Sequence, residues 1–271
     1  MAWMTRRATL LAVPFAALPL HHAKAQPAPL VVFAAGTVQD ALRELEPSWR
    51  DVGGPPLRFS FAASSALVRQ LGQEAQADLI LSADEAWMGH AERTGDVARD
   101  ARRTVLTTDL VLVAPASVQP FPARIVLDPA APGGATGLAA LLGPRGRWTT
   151  GDPAHTPIGR YAEAALRSLG QWEALLPRMA RGNTARAALV LVERGEAIFG
   201  VVSRSDVAAS QAVREEAVFA PTTHPPVCLA FGLTPRGAAD PRARALLDFL
   251  ASPAAAPIWR RHGFTPVGAP A

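Results

Sequence analysis

Short apolar runs alternate with segments of helical periodicity along most of this chain, and that alternation narrows the folds open to it. The run "LVVFAA" (30–35) is strand-like, and after Thr37 apolar residues recur at Val38, Ala41, Leu42, Leu45 and Trp49, a helical spacing. Pro47 is expected to end or bend that helix near Leu45, because proline lacks an N–H and its ring crowds the turn before it. "LRFSFA" and "ADLILSA" then read as strands, and "SALVRQLGQ" and "DEAWMGHAERTG" as the helices that follow them. "TTDLVLVAP" (107–115) reads as one longer strand and "IVLDP" (125–129) as a short one. "HTPIGRYAEAALRSLG" is a helix ended by Gly170, and "NTARAALVLVERG" a helix begun by Asn183 and stopped by Gly195. "EAIFGVV" and "PPVCLAFGL" are further strands, and "PRARALLDFLAS" and "AAPIWRRHG" are the closing helices. Continuous apolar strands alternating with helices imply parallel sheets covered on both faces. Two α/β lobes joined by extended passages near Leu110–Ala114 and Pro226–Ala230 account for the order.

The first residues have the pattern of an export signal. Arg6 and Arg7 form a charged start, Ala8–Leu20 an apolar stretch too short to span a membrane, and Ala23-Lys24-Ala25 a small-x-small cleavage site. Cleavage is expected after Ala25. General secretion is the expected route, with twin-arginine export left open by the Arg6–Arg7 pair. Removing this segment takes away three positive charges (Arg6, Arg7, Lys24) and no negative ones, so the formal net charge falls from +4 to +1. No lysine then remains and the arginines are scattered, which argues against a nucleic-acid surface. The single cysteine, Cys228, excludes an internal disulfide and reads as a small hydrophobe in a buried strand.

One local design recurs. A strand ends, a small or hydroxyl residue appears, and a helix starts, in "FAAGTVQDA", "FAASSALVRQ", "GDPAHTPIGRYA" and "RGNTARAAL". A serine such as Ser64 could simply cap its helix. Helix N-termini also present unpaired N–H groups and a positive dipole end, which suits an anion. Open parallel sheets bind ligands at the carboxyl ends of their strands, so the recurrence favours an anion site, and capping is compatible with it.

The stretches "VVFAAGTVQDAL", "FSFAASSALVRQL", "ADLILSADEAWM", "GDPAHTPIGRYAEAALRSLG", "ALVLVERGEAIFGVVSRSD" and "IWRRHGFTPV" resemble the periplasmic molybdate-binding protein of ABC importers. The resemblance implies a two-lobed, type II periplasmic binding fold, each lobe a mostly parallel sheet flanked by helices, with the ligand in the cleft. With residues 1–25 as signal peptide, residues 26–110 and 227–271 would form one lobe and 111–226 the other. It implies a binding protein without catalytic activity or cofactor, molybdate or tungstate as ligand, and ABC permease subunits in the membrane as partners. A periplasmic monomer is expected. By the same resemblance the ligand hydroxyls fall on Thr37, where relatives usually have serine, and on Ser64. Backbone N–H donors fall on Ile158 and Ala185. The position of a common tyrosine hydroxyl is Ser203 here, a much shorter side chain. Donors without a carboxylate acceptor suit a fully deprotonated oxyanion. Arg186 is adjacent in sequence, and a solvated helix residue is an equal reading of it.

Other chemistries find less in the residues. His90, His155, His224 and His262 have no paired metal-ligand spacing, and no G-x-S-x-G pattern supports a nucleophile at Ser64 or Ser65. Trp49, Trp87, Trp148, Trp172 and Trp259 read as packing rather than a stacking platform. The alternative functions are binding of another anion, sulfate-like or a small carboxylate, and behind that an enzyme or sensor on the same fold.

Overall fold

A computed structural model describes residues 27–73, 75–121, 125–130 and 137–268. The export segment expected over residues 1–25 lies outside the described residues. The chain begins with β1 (Leu30–Ala35), a 3-10 turn over Gly36–Val38, α1 (Gln39–Asp51), β2 (Leu57–Ala62), α2 (Ser64–Gly72), β3 (Leu79–Ser82), α3 (Glu85–Thr94) and β4 (Arg102–Thr108). It continues with β5 (Leu110–Pro115), β6 (Ile125–Leu127), α4 (Leu138–Leu141), β7 (Trp148–Gly151), α5 (Pro157–Ser168), α6 (Trp172–Leu175), β8 (Met179–Gly182) and α7 (Ala185–Glu193). Then come β9 (Phe199–Ser203), α8 (Arg204–Ala208), β10 (Val213–Phe219), β11 (Val227–Leu233), α9 (Pro235–Ala239), α10 (Pro241–Leu250), α11 (Ala256–Arg261) and β12 (Thr265–Pro266). Among the described residues no helix is long and apolar enough to cross a membrane.

These strands make two sheets, ordered β12-β4-β11-β3-β1-β2 and β6-β10-β5-β9-β7-β8. Each has a parallel part in which β1 lies between β2 and β3, and β7 between β8 and β9. The strands at the passages between sheets run antiparallel: β11 to β3 and β4, and β5 to β9 and β10. The sheets are therefore mixed: the first has its parallel strands at one side, and the second has a further parallel pair, β6 with β10, at its opposite edge.

Side-chain alternation explains how both faces are filled. Leu30, Val32 and Ala34 of β1 pack with Leu42 and Leu45 of α1, Leu246 and Leu250 of α10 and Trp259 of α11. Phe33 turns the other way, onto Leu67 and Leu71 of α2 and Met88 of α3. In the second sheet Leu110 and Leu112 meet Trp148, Phe199 and α5, while Val111 and Val113 meet Leu189 and Val192 of α7. Trp49, Trp148, Trp172 and Trp259 are all buried in these layers, as expected of packing residues. Trp87 is half-buried, with the Arg69 guanidinium over its ring.

Three local expectations change. α1 runs through Pro47 to Asp51, because Trp49 beyond it is buried against Phe249 and donates from Nε1 to the Pro55 carbonyl (3.0 Å). Packing there outweighs the hydrogen bond that proline removes. The segment 107–115 is two strands, broken at Asp109, where the chain leaves one sheet for the other. Asp109 accepts from Arg204 Nη1, and the same guanidinium makes a two-pronged pair with Glu215 at 2.9 Å. Cys228 is half-buried on β11 rather than fully enclosed, and burial pushes its thiol above the ordinary value.

Trp148 fills the second sheet's core with no exposed surface, and its Nε1 donates to the Leu175 carbonyl at 2.7 Å. Trp148→Ala should lower unfolding free energy by about 3–5 kcal/mol in urea titrations followed by circular dichroism. A loss under about 1 kcal/mol would mean that this core rests on other contacts.

Candidate functional site

Strand polarity sets out the site. The β1–β2 register aligns Ala35 with Ala62, so Thr37 and Ser64 each stand two residues past the carboxyl ends of adjacent parallel strands. The β7–β8 register aligns Gly151 with Gly182, which puts the loops to α5 and α7 side by side, and β9 ends at Ser203 beside β7. Thr37, Ser64, Ile158 and Ala185 thus lie beyond the carboxyl ends of parallel strands, and Ser203 is the last residue of β9.

The helix starts leave specific amides over. At α5, Pro157 has no N–H, Thr156 Oγ1 accepts from the Gly159 N–H (3.1 Å), and the Thr156 carbonyl accepts from Arg160 (3.3 Å). The Ile158 N–H is the first-turn amide outside these bonds. At α7 the cap is Thr184, not Asn183: its Oγ1 accepts from Ala187 (3.0 Å) and its carbonyl from Ala188 (3.1 Å). The Ala185 and Arg186 amides are left at that end. At α2 the Ala63 carbonyl accepts from Ala66 and Leu67, which leaves the Ser64 and Ser65 amides.

Ser64 is not a cap. α2 has no side-chain cap, and the buried Ser64 Oγ accepts instead from the Ala83 N–H at 3.1 Å, joining α2 to the exit of β3. Because that oxygen is the acceptor, the hydroxyl proton is free to point elsewhere. Next to Ala83, Asp84 caps α3 by accepting from the Ala86 and Trp87 amides (2.8 and 3.3 Å). The other oxygen of this buried carboxylate accepts from Arg160 Nη2 on α5, so an ion pair spans the two sheets.

A second link spans them through hydroxyls. Thr37 Oγ1 lies 3.2 Å from Ser205 Oγ, Ser205 Oγ lies 2.9 Å from Ser203 Oγ, and Ser203 Oγ donates to Asp206 Oδ2 at 2.5 Å. The Ser205 amide donates to Thr108 Oγ1 (3.3 Å), which itself donates to the Gly263 carbonyl (2.9 Å). Thr37 and Ser203 are therefore brought together through Ser205, a residue that the sequence reading passed over. Its only sequence signal is its place two residues beyond the end of "FGVVS". Ser203, Ser205 and Asp206 are all buried. Burial pushes the Asp206 carboxyl above the ordinary value, against the lowering effect of its Ser203 bonds and the Arg186 charge. The edge is thus not composed of donors alone. Among the described residues no group of three or more His, Cys, Asp or Glu side chains is disposed to hold a metal ion.

The family described as bacterial extracellular solute-binding protein matches residues 30–265. The molybdate-binding protein ModA of Escherichia coli is 38% identical over 237 residues, covering 87% of this chain and 88% of that protein. Its namesake from Haemophilus influenzae is 32% identical over 248 residues, covering 88% and 90%. Among solved structures, the periplasmic molybdate-binding protein of Azotobacter vinelandii superposes with a TM-score of 0.71 at 19% identity, covering 89% of this chain and 100% of that one. The sulfate-binding protein SubI of Mycobacterium tuberculosis gives 0.68 at 14% identity, covering 89% and 88%. Identities this low speak for the two-lobed fold alone.

The close packing of the α5 start gives a test independent of these likenesses. A Cβ on Gly159 would lie 2.1 Å from the Gly151 carbonyl and 2.6 Å from Pro153 N, both backbone atoms. Gly159→Ala should cost about 1–3 kcal/mol of stability by overpacking. It should also disturb the neighbouring Ile158 amide, seen as a shifted or broadened backbone resonance. An unchanged melting temperature and an unmoved Ile158 resonance would show that the turn adapts freely.

Proposed function

The chain belongs to the bacterial extracellular solute-binding proteins, in the molybdate-binding family, and from that premise we propose that it captures molybdate in the cleft and hands it to an ABC permease. The observation that carries the reading is the Thr37–Ser205 contact, which joins the turn after β1 of one sheet to the start of α8, after β9 of the other. In the proposed site Ser64 and Thr37 give hydroxyl donors from one side, and the Ile158 and Ala185 amides give donors from the other. Ser203 serves through Ser205, because its own hydroxyl is turned toward Asp206. Fixed dipoles of this kind stabilise a dianion without a mobile lysine, and Lys24, the chain's lysine, precedes the described residues.

The role is capture without chemistry. The proposal includes tungstate as a second ligand, since it has the same charge and tetrahedral shape. It also includes lobes over residues 26–110 with 227–271 and over 111–226. The two passages between the sheets, at Asp109 and between β10 and β11, support that division. Domain closure about those passages would bring the donor sets together. The family is extracytoplasmic; cleavage near Ala25 and release of a monomer into the periplasm belong to the proposal.

Titration calorimetry should detect molybdate and tungstate binding far tighter than sulfate, phosphate or small carboxylates. Thr37→Ala and Ser64→Ala should each weaken molybdate binding by about ten- to a hundredfold, the loss of one hydrogen bond to a charged group. Ser65→Ala should change affinity less. Ligand-free melting should separate the two variants: near the parent for Thr37→Ala, and lower for Ser64→Ala, which orphans the Ala83 N–H at a cost of ~1–3 kcal/mol. Unaltered affinity in both variants, or sulfate binding equal to molybdate, would sink the reading.

A further inference from the structure

A count of protons along the hydroxyl chain leads beyond the site's identity. Thr37, Ser205 and Ser203 supply one hydroxyl proton each, and the chain holds three hydrogen bonds: Thr37–Ser205, Ser205–Ser203 and Ser203–Asp206. An ionised Asp206 can only accept. The Ser203 proton must then go to Asp206, the Ser205 proton to Ser203 and the Thr37 proton to Ser205. All three are used inside the chain, and none points at a ligand. If Asp206 carries a proton the direction reverses, because Asp206 donates to Ser203, Ser203 to Ser205 and Ser205 to Thr37. The Thr37 proton is then released toward the cleft.

We propose that Asp206 is a positioning residue whose protonation sets the direction of the Thr37–Ser205–Ser203 chain, so that the site takes up a proton when it binds a fully deprotonated oxyanion. This rests on the anion-capture reading above and deepens it. A protonated anion would need an acceptor where the reversed chain presents a donor, and so would be selected against.

The surroundings of Asp206 are compatible with a neutral carboxyl. Among the described residues, the charged neighbour acting on it is Arg186, exposed at the start of α7, with Glu193 at that helix's far end. On its own helix Arg204 is engaged by Asp109 and Glu215. On β10, Glu216 is paired with Arg214 and accepts from the Phe121 N–H. β5, β9 and the turn over Gly36–Val38 bring no titratable side chain. Burial also raises the carboxyl's affinity for its proton, the direction the relay requires.

The test is calorimetry of molybdate binding to the full chain in buffers of different ionisation heat, over about pH 6–9, with proton uptake as the readout. Above the Asp206 midpoint of the anion-free protein, where the carboxyl is ionised, the parent should take up close to one proton per anion and its affinity should fall about tenfold per pH unit; below that midpoint both effects vanish. Asp206→Asn, which cannot ionise and offers Ser203 an amide donor, should bind with no proton uptake and a flat pH profile. Ser205→Ala, which cuts the chain, should also lose the uptake. No uptake in the parent, or the same uptake in parent and Asp206→Asn, overturns the proposal. A readout without anion keeps it separate from ligand identity: the Asp206 carboxyl, followed as the infrared difference between parent and Asp206→Asn, should titrate above the ordinary carboxylate range and shift in Ser205→Ala. An ordinary midpoint unmoved by Ser205→Ala overturns the relay. If the parent gives no heat with molybdate but this titration is found, the molybdate reading falls and the relay stands.

Discussion

Strand polarity is the constraint from which the rest of this structure follows. In β1 and β2, and again in β7 and β8, parallel pairing puts the carboxyl ends of neighbouring strands on one edge, and the next helices must start there. Each helix start leaves amides without an intrahelical acceptor. Thr156 and Thr184 consume the third amides of α5 and α7 and no more, so the Ile158 and Ala185 donors remain. Capping and anion binding are therefore not rivals at these turns. The caps hold each first turn and leave its earlier amides uncommitted.

Two cross-sheet links of different chemistry hold those edges together. The Arg160–Asp84 pair joins an exposed guanidinium to a carboxylate buried beneath the α3 cap. Asp84 already has two amide donors, so its charge is compensated before Arg160 arrives, and breaking the pair would not leave it bare. The Thr37–Ser205 link is neutral and can exchange its partner for a ligand at little electrostatic cost. This division would suit the proposed closure of the lobes, since a hydroxyl contact is worth about 1 kcal/mol and is easily traded.

Much of this was legible in the sequence, where local rules and tertiary packing agree. The order of strands and helices, the breaks at Gly170 and Gly195 and the four strand-to-helix turns follow from apolar period and small residues. The failures lie where packing or charge overrides the local signal. Pro47 signals a helix end, but burial of Trp49 carries α1 past it. "RRTVLTT" and "VREEAVF" carry arginine and glutamate into strands, which hides β4 and β10 from an apolar scan. Their charges are absorbed by pairs such as Arg102–Glu92, Arg204–Glu215 and Arg214–Glu216. Capping is one role open to Ser64, because serine stands at the start of a helix, but Ser64 does not fill it. Its real partner, Ala83, lies nineteen residues on, and no local pattern could name it.

In the proposed site, Ser203 would change the means of reaching the anion rather than remove it. A tyrosine at this position would carry a hydroxyl across the cleft on one rigid arm. Serine at the end of β9 instead leaves its hydroxyl beside Asp206, and Ser205 and Thr37 span the remaining distance. The relay has a consequence that a single arm lacks. Each hydroxyl both donates and accepts, so the direction of the outermost donor depends on the innermost group. A buried carboxyl at that inner end becomes part of the ligand's environment without touching it. The acidic residue that at first looks misplaced beside an anion then acts through the proton it holds.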